Sequence, residues 1–428
     1  MRIFFIIVIV FFAGFQSVIA NAQTYVLKGE RIISNSAQVA PGSDVVVIVD
    51  GIVEQIGKSP EGATASIPGD NLWITPGIFA PYSTLGLVEV SGESATNNIR
   101  SANKQATVSI RAADSFNPKS TIIAVSRLGG VTHAAVVPGA GSDLFGGLGM
   151  IVSTSGEFNS AVDEAAFIYL NYYGSSDKTG STKGAAMAFL RAALSDASSY
   201  SSRFEQTNDG DALRRADANA LRPVIRGDIP MLVGADQAID ILNIIKLKSD
   251  YPRLDVIIVG AAEAWMVADQ LASSNVAVIV DPLENLPSSF DQIATRLDNV
   301  KRLMDAGVTT AIMSQTATGG TAHNLRLITQ HAGNAVAAGL TWEQAFKAIT
   351  LTPASMFGQP NLGQIRIGEK ANLVVWDGDP LEATSAPVAV FIDGKLQSMQ
   401  SRQTKLRDRY NPANTDKPGS NGKYGYQP

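Results

Sequence analysis

The chain of 428 residues contains no cysteine and only three histidines. Without cysteine no disulfide can brace the fold, so stability has to come from a buried core, which 45% apolar residues over this length can supply. Charge of one sign is missing too: 34 Lys and Arg stand against 39 Asp and Glu, spread without runs. That mild acidity offers no electrostatic footprint for nucleic acid or an anionic membrane. Beyond the N-terminus no apolar run approaches the length a spanning helix needs. The glycine-rich "PGAGSDLFGGLG" (138–149) lacks the Gly-Lys-Ser/Thr ending of a phosphate cradle, and no Gly-x-Ser-x-Gly elbow marks a serine nucleophile.

What is present begins with a leader. Met1-Arg2 is followed by thirteen apolar residues or glycine and then by Ala20-x-Ala22, the pattern of a secretory signal peptide over 1–22. The alternative is an uncleaved N-terminal anchor. Cleavage after Ala22 leaves 428 − 22 = 406 residues and, with Arg2 lost, moves the formal net charge from −5 to −6. The expectation is a periplasmic or secreted protein with no membrane attachment once processed.

Two β-rich pieces lie at opposite ends. "DVVVIVDGIVEQIG" places Asp50-Gly51 between β-branched runs, and "VAVFIDGKLQSM" does the same with Asp393-Gly394. Asp-Gly so flanked is a strong two-residue hairpin signal. Short hairpins cannot bury a face alone, so residues 23–75 and 359–402 are expected to meet in one small β-sandwich domain. From about residue 230 the pattern becomes strand then helix: "IPMLVGAD", "DVIIVGAA", "VAVIVDPL" and "TTAIMSQT" each precede a segment with apolar positions at helical spacing. Unalternating apolar strands between helices predict an α/β fold with a parallel sheet, a TIM-like (β/α)8 barrel over 76–358. A doubly wound sheet is the alternative from pattern alone. Thr341-x-x-Gln344 has the capping-box form, and Thr352-Pro353 with Gly358 marks the start and end of another helix. The polar tail, 403–428, reads as extended or disordered.

Four segments carry a resemblance: "ITPGIFAPYSTLGLVEV", "GGVTHAAVVPGAGS", "AFKAITLTPASMFG" and "LGQIRIGEKANLVVWDGDPLE". With these the chain resembles the amidohydrolase superfamily, in particular its exported bacterial branch related to imidazolonepropionases and dipeptidases. The resemblance implies hydrolysis of carbon–nitrogen bonds at a site holding one or two divalent metal ions such as zinc. The family enters its barrel as Pro-Gly-x-x-Asp-x-His-x-His. Here Pro76 and Gly77 match, while Ala80 stands for the aspartate and Tyr82 and Thr84 for the histidines. Gly234 and Gly260 fall where two further histidines bind metal, and Ser314 or Gln315 where an aspartate does. The family site uses four histidines and this chain has three, so no bound metal is expected.

Those three do not suggest a new centre. His133 lies in an apolar strand, and His323 and His331, eight apart on one predicted helix, cannot grip one ion. Function is expected at the barrel mouth, where Tyr82, Ser83, Thr84, Asp143, Gly234 and Gly260 form a candidate pocket. Asp236, Glu263 and Gln315 are the candidate catalytic groups, although Asp236 and Glu263 precede helices and suit capping equally. Three readings follow: a degenerate, metal-free homologue acting as a binding or partner subunit; a metal-independent C–N hydrolase using mouth carboxylates; and a structural scaffold. The first implies a small-molecule ligand, or an oligomer with itself or with an active paralogue.

Overall fold

The computed structural model describes residues 23–411 except 38, 60–63, 102–105, 142, 174–181, 205–208 and 315–323. The expected signal segment, Gln315, His323 and residues 412–428 lie outside the described residues.

Both Asp-Gly pairs make the turns their sequence calls for. Val45–Val49 pairs antiparallel with Ile52–Gly57 across Asp50 (φ 49°) and Gly51 (φ 83°). Pro387–Ile392 pairs with Lys395–Leu396 across Asp393 (φ 49°) and Gly394 (φ 79°). Positive φ at both central residues is the primed turn whose twist matches the strands. The two tips touch: Ala371 donates its N–H to the Gly51 carbonyl at 2.9 Å and accepts from the Gly394 N–H at 2.9 Å. The first hairpin continues into Thr24–Lys28 as a three-stranded sheet. The second joins Leu373–Trp376, Trp73–Pro76 and Arg31–Ile32 in a five-stranded one. Leu27, Val46, Ile48, Ile74, Leu373 and Phe391 are buried between them, so both chain ends build one β-sandwich.

The larger sheet has eight strands in sequence order. They are β1 (Ile78–Ser83), β2 (Val131–Val136), β3 (Phe145–Ser153), β4 (Ala161–Asn171), β5 (Met231–Ala235), β6 (Val256–Gly260), β7 (Ala277–Val280) and β8 (Thr310–Ile312). The gap between β8 and β1 is spanned by residues 348 and 349: Ile312 donates to the Ala348 carbonyl and Phe79 to that of Ile349, each at 2.9 Å. The TIM-like barrel is thereby almost closed. Inward-facing Phe79, Ala135, Ile151, Phe167, Leu232, Ile257, Ile279 and Ala311 fill it with apolar side chains. Phe357 stacks on Phe79 at 6.0 Å and meets Phe167 at 5.1 Å, plugging the end opposite the mouth.

Several expectations need correcting. Strand β3 runs antiparallel to both neighbours, so the barrel is not a uniform (β/α)8 repeat. The second half of the glycine-rich stretch 138–149, from Phe145, is strand. Strand β4 escaped the sequence reading because Asp163 and Glu164 interrupt its apolar run. The helix expected at Thr352-Pro353 is Leu351–Met356, with Thr350 at its N-cap and Pro353 still inside the first turn, where the missing N–H costs nothing. The Thr341 capping box is present, Thr341 N–H reaching Gln344 Oε1 at 2.9 Å. The tail is not wholly extended: Ser401 forms a second capping box and starts the helix Arg402–Tyr410.

Sandwich and barrel join at residues 76 and 77. The Gly77 N–H donates to the Asn372 carbonyl at 2.9 Å, and the hydroxyl of Thr132 on β2 lies 2.1 Å from where a Cβ on Gly77 would be. Gly77→Ala is therefore expected to destabilise by about 1–3 kcal/mol through overpacking. Gly92→Ala, with nothing within 4 Å of the new methyl, should stay within about 0.5 kcal/mol. Equal shifts in the denaturation midpoints of the two variants would contradict this.

Candidate functional site

The C-terminal ends of the parallel strands carry a cluster of three tyrosines and two acids. Tyr82 closes β1 after a register irregularity and meets Tyr169 of β4 edge-on, with ring centroids 6.1 Å apart. Tyr173, just past β4, donates its hydroxyl to the Val259 carbonyl on β6 at 2.9 Å. Burial is the main cause that raises all three phenol pKa values, those of Tyr169 and Tyr173 well above the ordinary value. These hydroxyls are neutral hydrogen-bonding groups at any physiological pH.

Asp236 follows β5 and is buried. Its carboxylate accepts from the Ala262 N–H at 3.3 Å and from Gln292 Nε2 at 2.9 Å. The same Gln292 amide donates to Glu284 at 2.8 Å, while its oxygen accepts from the Ser288 hydroxyl at 2.6 Å. One amide thus holds two carboxyl groups. Burial pushes Asp236 up to about 6 and Glu284 up to about 7, the Gln292 donor opposing the rise in each. Around them opens a cavity of about 330 Å³, lined also by Tyr173, Gly260, Ser288, Ser289 and Asp291.

The residues named from sequence divide here. Asp236 and Gly260 line this cavity, and Gly234 sits just behind, its hypothetical Cβ 2.6 Å from the Tyr173 ring. Tyr82 belongs to the tyrosine cluster beside it. Glu263 turns away: its carboxylate accepts the Ala238 N–H at 3.1 Å, at the start of the helix Ala238–Asp250. Ser83 gives its hydroxyl to the Ala135 carbonyl at 2.8 Å, joining β1 to β2. Thr84 and Asp143 are buried, and Asp143 Oδ1 accepts the N–H of Leu144 at 2.5 Å. Gln315 lies outside the described residues. Tyr169, Tyr173, Glu284 and Gln292 were missed. For Glu284 a signal was available, since "VDPLEN" follows an apolar strand as Asp236 does; Tyr169 and Tyr173 were hidden with strand β4, and nothing local marked Gln292.

The histidines are placed elsewhere. His133 is buried in β2 with Nδ1 3.1 Å from the Thr132 hydroxyl, and burial holds its pKa down at about 4. His331, in the helix Ile328–Ala337, makes a buried 2.8 Å contact with Asp281 at the end of β7. His323, expected on the same helix, lies outside the described residues.

A family-type metal does not fit these residues. A Cβ on Gly260 would lie 2.3 Å from the Tyr173 hydroxyl and 2.5 Å from Asp236 Oδ1, and Gly260 has φ +90°. A histidine there would need a strained backbone and already filled space. Tyr82 and Thr84 offer neutral oxygens in place of the basic nitrogens zinc prefers. Among the described residues no three His, Asp or Glu side chains converge as a metal-binding group.

Raised carboxyl pKa values mean stability that is fully present at low pH and is lost as pH rises through about 6 and about 7. Gln292→Leu removes the donor that opposes the rise, so the loss should deepen and extend to higher pH. We expect a destabilisation of about 1–3 kcal/mol, larger at pH 8 than at pH 5. A penalty independent of pH, measured by denaturant titration at both values, would show that Gln292 does not hold ionised carboxylates.

Comparison with known proteins gives these features a context. Residues 214–405 match the model described as "Amidohydrolase family". Amidohydrolase tasK of Hapsidospora irregularis is 36% identical over 98 residues, 23% of this chain and 10% of that protein, so the chain spans only a small part of this relative's length. The crystal structure of an amidohydrolase from Thermotoga maritima MSB8 superimposes with a TM-score of 0.75 at 24% identity, over 87% of this chain and 98% of that one. A prolidase complexed with N-methylphosphonate-L-proline gives 0.52 at 14% identity, over 88% and 100%. Residues 214–405 thus carry the amidohydrolase family pattern, and the chain shares its fold with the Thermotoga maritima amidohydrolase.

Proposed function

We propose that this exported amidohydrolase-fold chain works without a metal, has lost hydrolysis, and serves as a small-ligand-binding or partner subunit. The observation that carries this reading is the Tyr173 hydroxyl and Asp236 carboxylate standing in the space a side chain at residue 260 would need. Hydrolysis of carbon–nitrogen bonds in the family relies on a metal to acidify water and polarise the carbonyl. Neutral phenols in its place offer hydrogen bonds and no Lewis acid.

The cavity beside them suits a small polar ligand that carries hydrogen-bond donors, since Asp236, Glu284 and Asp291 all present carboxyl oxygens. The partner role rests on the segment that completes the cavity. It exposes Leu286 (77%), Phe290 (88%) and Ile293 (64%) while supplying Glu284, Ser288 and Gln292 inward. An apolar surface of this kind marks an interaction site. A second copy or an active paralogue covering it would sit against the ligand cavity.

One observation favours a second reading, a metal-independent C–N hydrolase. Asp236 and Glu284, at about 6 and about 7 and bridged by one amide, are poised for one to give and the other to take a proton near neutrality.

Elemental analysis of mature protein exported with zinc, manganese and iron supplied tests the first reading. Less than about a tenth of an equivalent of metal is expected, and about one equivalent would overturn it. Turnover of a panel of dipeptides and cyclic amides in the presence of chelator, abolished by both Asp236→Asn and Glu284→Gln, would instead establish the second.

A further inference from the structure

A second cavity lies away from the mouth, on the side where β3 ends. It measures about 770 Å³ and opens between the helix Thr121–Leu128, the β3–β4 turn and the C-terminal helix Arg402–Tyr410. Lys119, Arg127, Arg402, Lys405 and Arg409 line it, against one carboxylate, the exposed Glu157. In a chain with more acids than bases this is a concentrated positive site.

Arg127 distinguishes it from a solvated basic face. This side chain is 7% exposed, and its Nη1 donates to the carbonyls of Thr154 and Ser155 at 2.7 and 3.2 Å. Its Nε is buried with no hydrogen-bond partner, and no carboxylate pairs with the guanidinium among the described residues. Burying a cation without a counter-charge is costly, and burial pulls its pKa down with nothing opposing. No ion pair is found for Lys119, Arg402, Lys405 or Arg409 among the described residues either, although Arg407 on the opposite side of the same helix pairs with Asp408 at 2.8 Å. Five cations, one of them buried with no counter-charge among the described residues, converge on a cavity large enough for a small molecule.

We propose that this cavity is a binding site for a phosphate-bearing ligand, whose oxyanion pairs with Arg127 and with the cations of the C-terminal helix. The capped helix forms one wall of the site, and Arg402 and Lys405 on it are exposed enough to be changed without disturbing a core. The site is independent of how the barrel mouth is read.

Calorimetric titration with inorganic pyrophosphate at fixed ionic strength tests this, alongside flotation with phosphatidylglycerol or phosphatidylcholine vesicles. Wild-type protein should bind pyrophosphate, with affinity falling as salt rises. The double variant Arg402→Glu/Lys405→Glu should bind about tenfold or more weakly. Asp236→Asn, at the mouth, should bind as wild type does. Flotation with phosphatidylglycerol alone, lost in the double variant, would support the same chemistry and assign it to a lipid headgroup. Absence of binding to both probes, or binding that survives the double reversal with circular dichroism unchanged, would overturn the proposal.

Discussion

The antiparallel pairing of Trp73–Pro76 with Leu373–Trp376 is the constraint on which the rest of this molecule depends. The strands are some 300 residues apart in sequence, and a buried hydrogen bond at 2.9 Å from the Trp376 indole to the Thr75 hydroxyl locks them. That pairing closes the sandwich and aims residues 76 and 77 into the barrel. The Trp376 ring lies over Gly130, 2.5 Å from where a Cβ would be, and so fixes the entry to β2 as well. Order in β1 and β2 in turn determines where Tyr82 arrives and against what it packs. Loop-closure entropy over such a span is repaid only when both ends are bound cooperatively, which is why two hairpin tips with Asp-Gly turns meet there.

Barrel closure obeys the same economy. Strand β8 has three residues and shares no ladder with β1, yet two carbonyls from residues 348 and 349 accept the N–H groups of Ile312 and Phe79. Buried backbone donors are satisfied, and the chain then drops Phe357 into the barrel. The interior is an apolar plug that requires no ion to hold it together. Side-chain identity at the mouth is therefore free to change without unfolding the barrel, provided the replacements fill space and satisfy their hydrogen bonds.

Much of this was legible from residue order. Asp50-Gly51 and Asp393-Gly394 state their turns locally, since only a few residues tolerate two consecutive positive φ values. Strands β5 to β8 announce themselves because strands buried on both faces must be continuously apolar. Strand β4 did not, because its first half is only partly buried and carries Asp163 and Glu164, which break the apolar run before Ala166. At the site, Asp236 was visible as an acid after a strand, but its partner Gln292 is 56 residues away and nothing local couples them. Glu263 shows the converse: the same position after a strand, with its carboxylate given to the backbone of residue 238. Acids at strand ends are legible as a set, and burial and tertiary partners decide which of them cap and which line a cavity.

Tyrosine and glycine at the mouth give it a different physical character from a metal centre built on imidazole. A family-type centre concentrates positive charge where carboxylates and a substrate carbonyl gather around it. Here the mouth holds neutral hydroxyls beside Asp236 and Glu284, whose carboxyls burial raises to about 6 and about 7. The buried Asp236 carboxyl and the half-buried Glu284 carboxyl cannot both ionise cheaply, since burial outweighs the offset Asp236 receives from Lys183, and the two share one amide. A ligand bringing its own donors or positive charge would relieve that repulsion and be held by it. A neutral carbonyl group would gain nothing comparable.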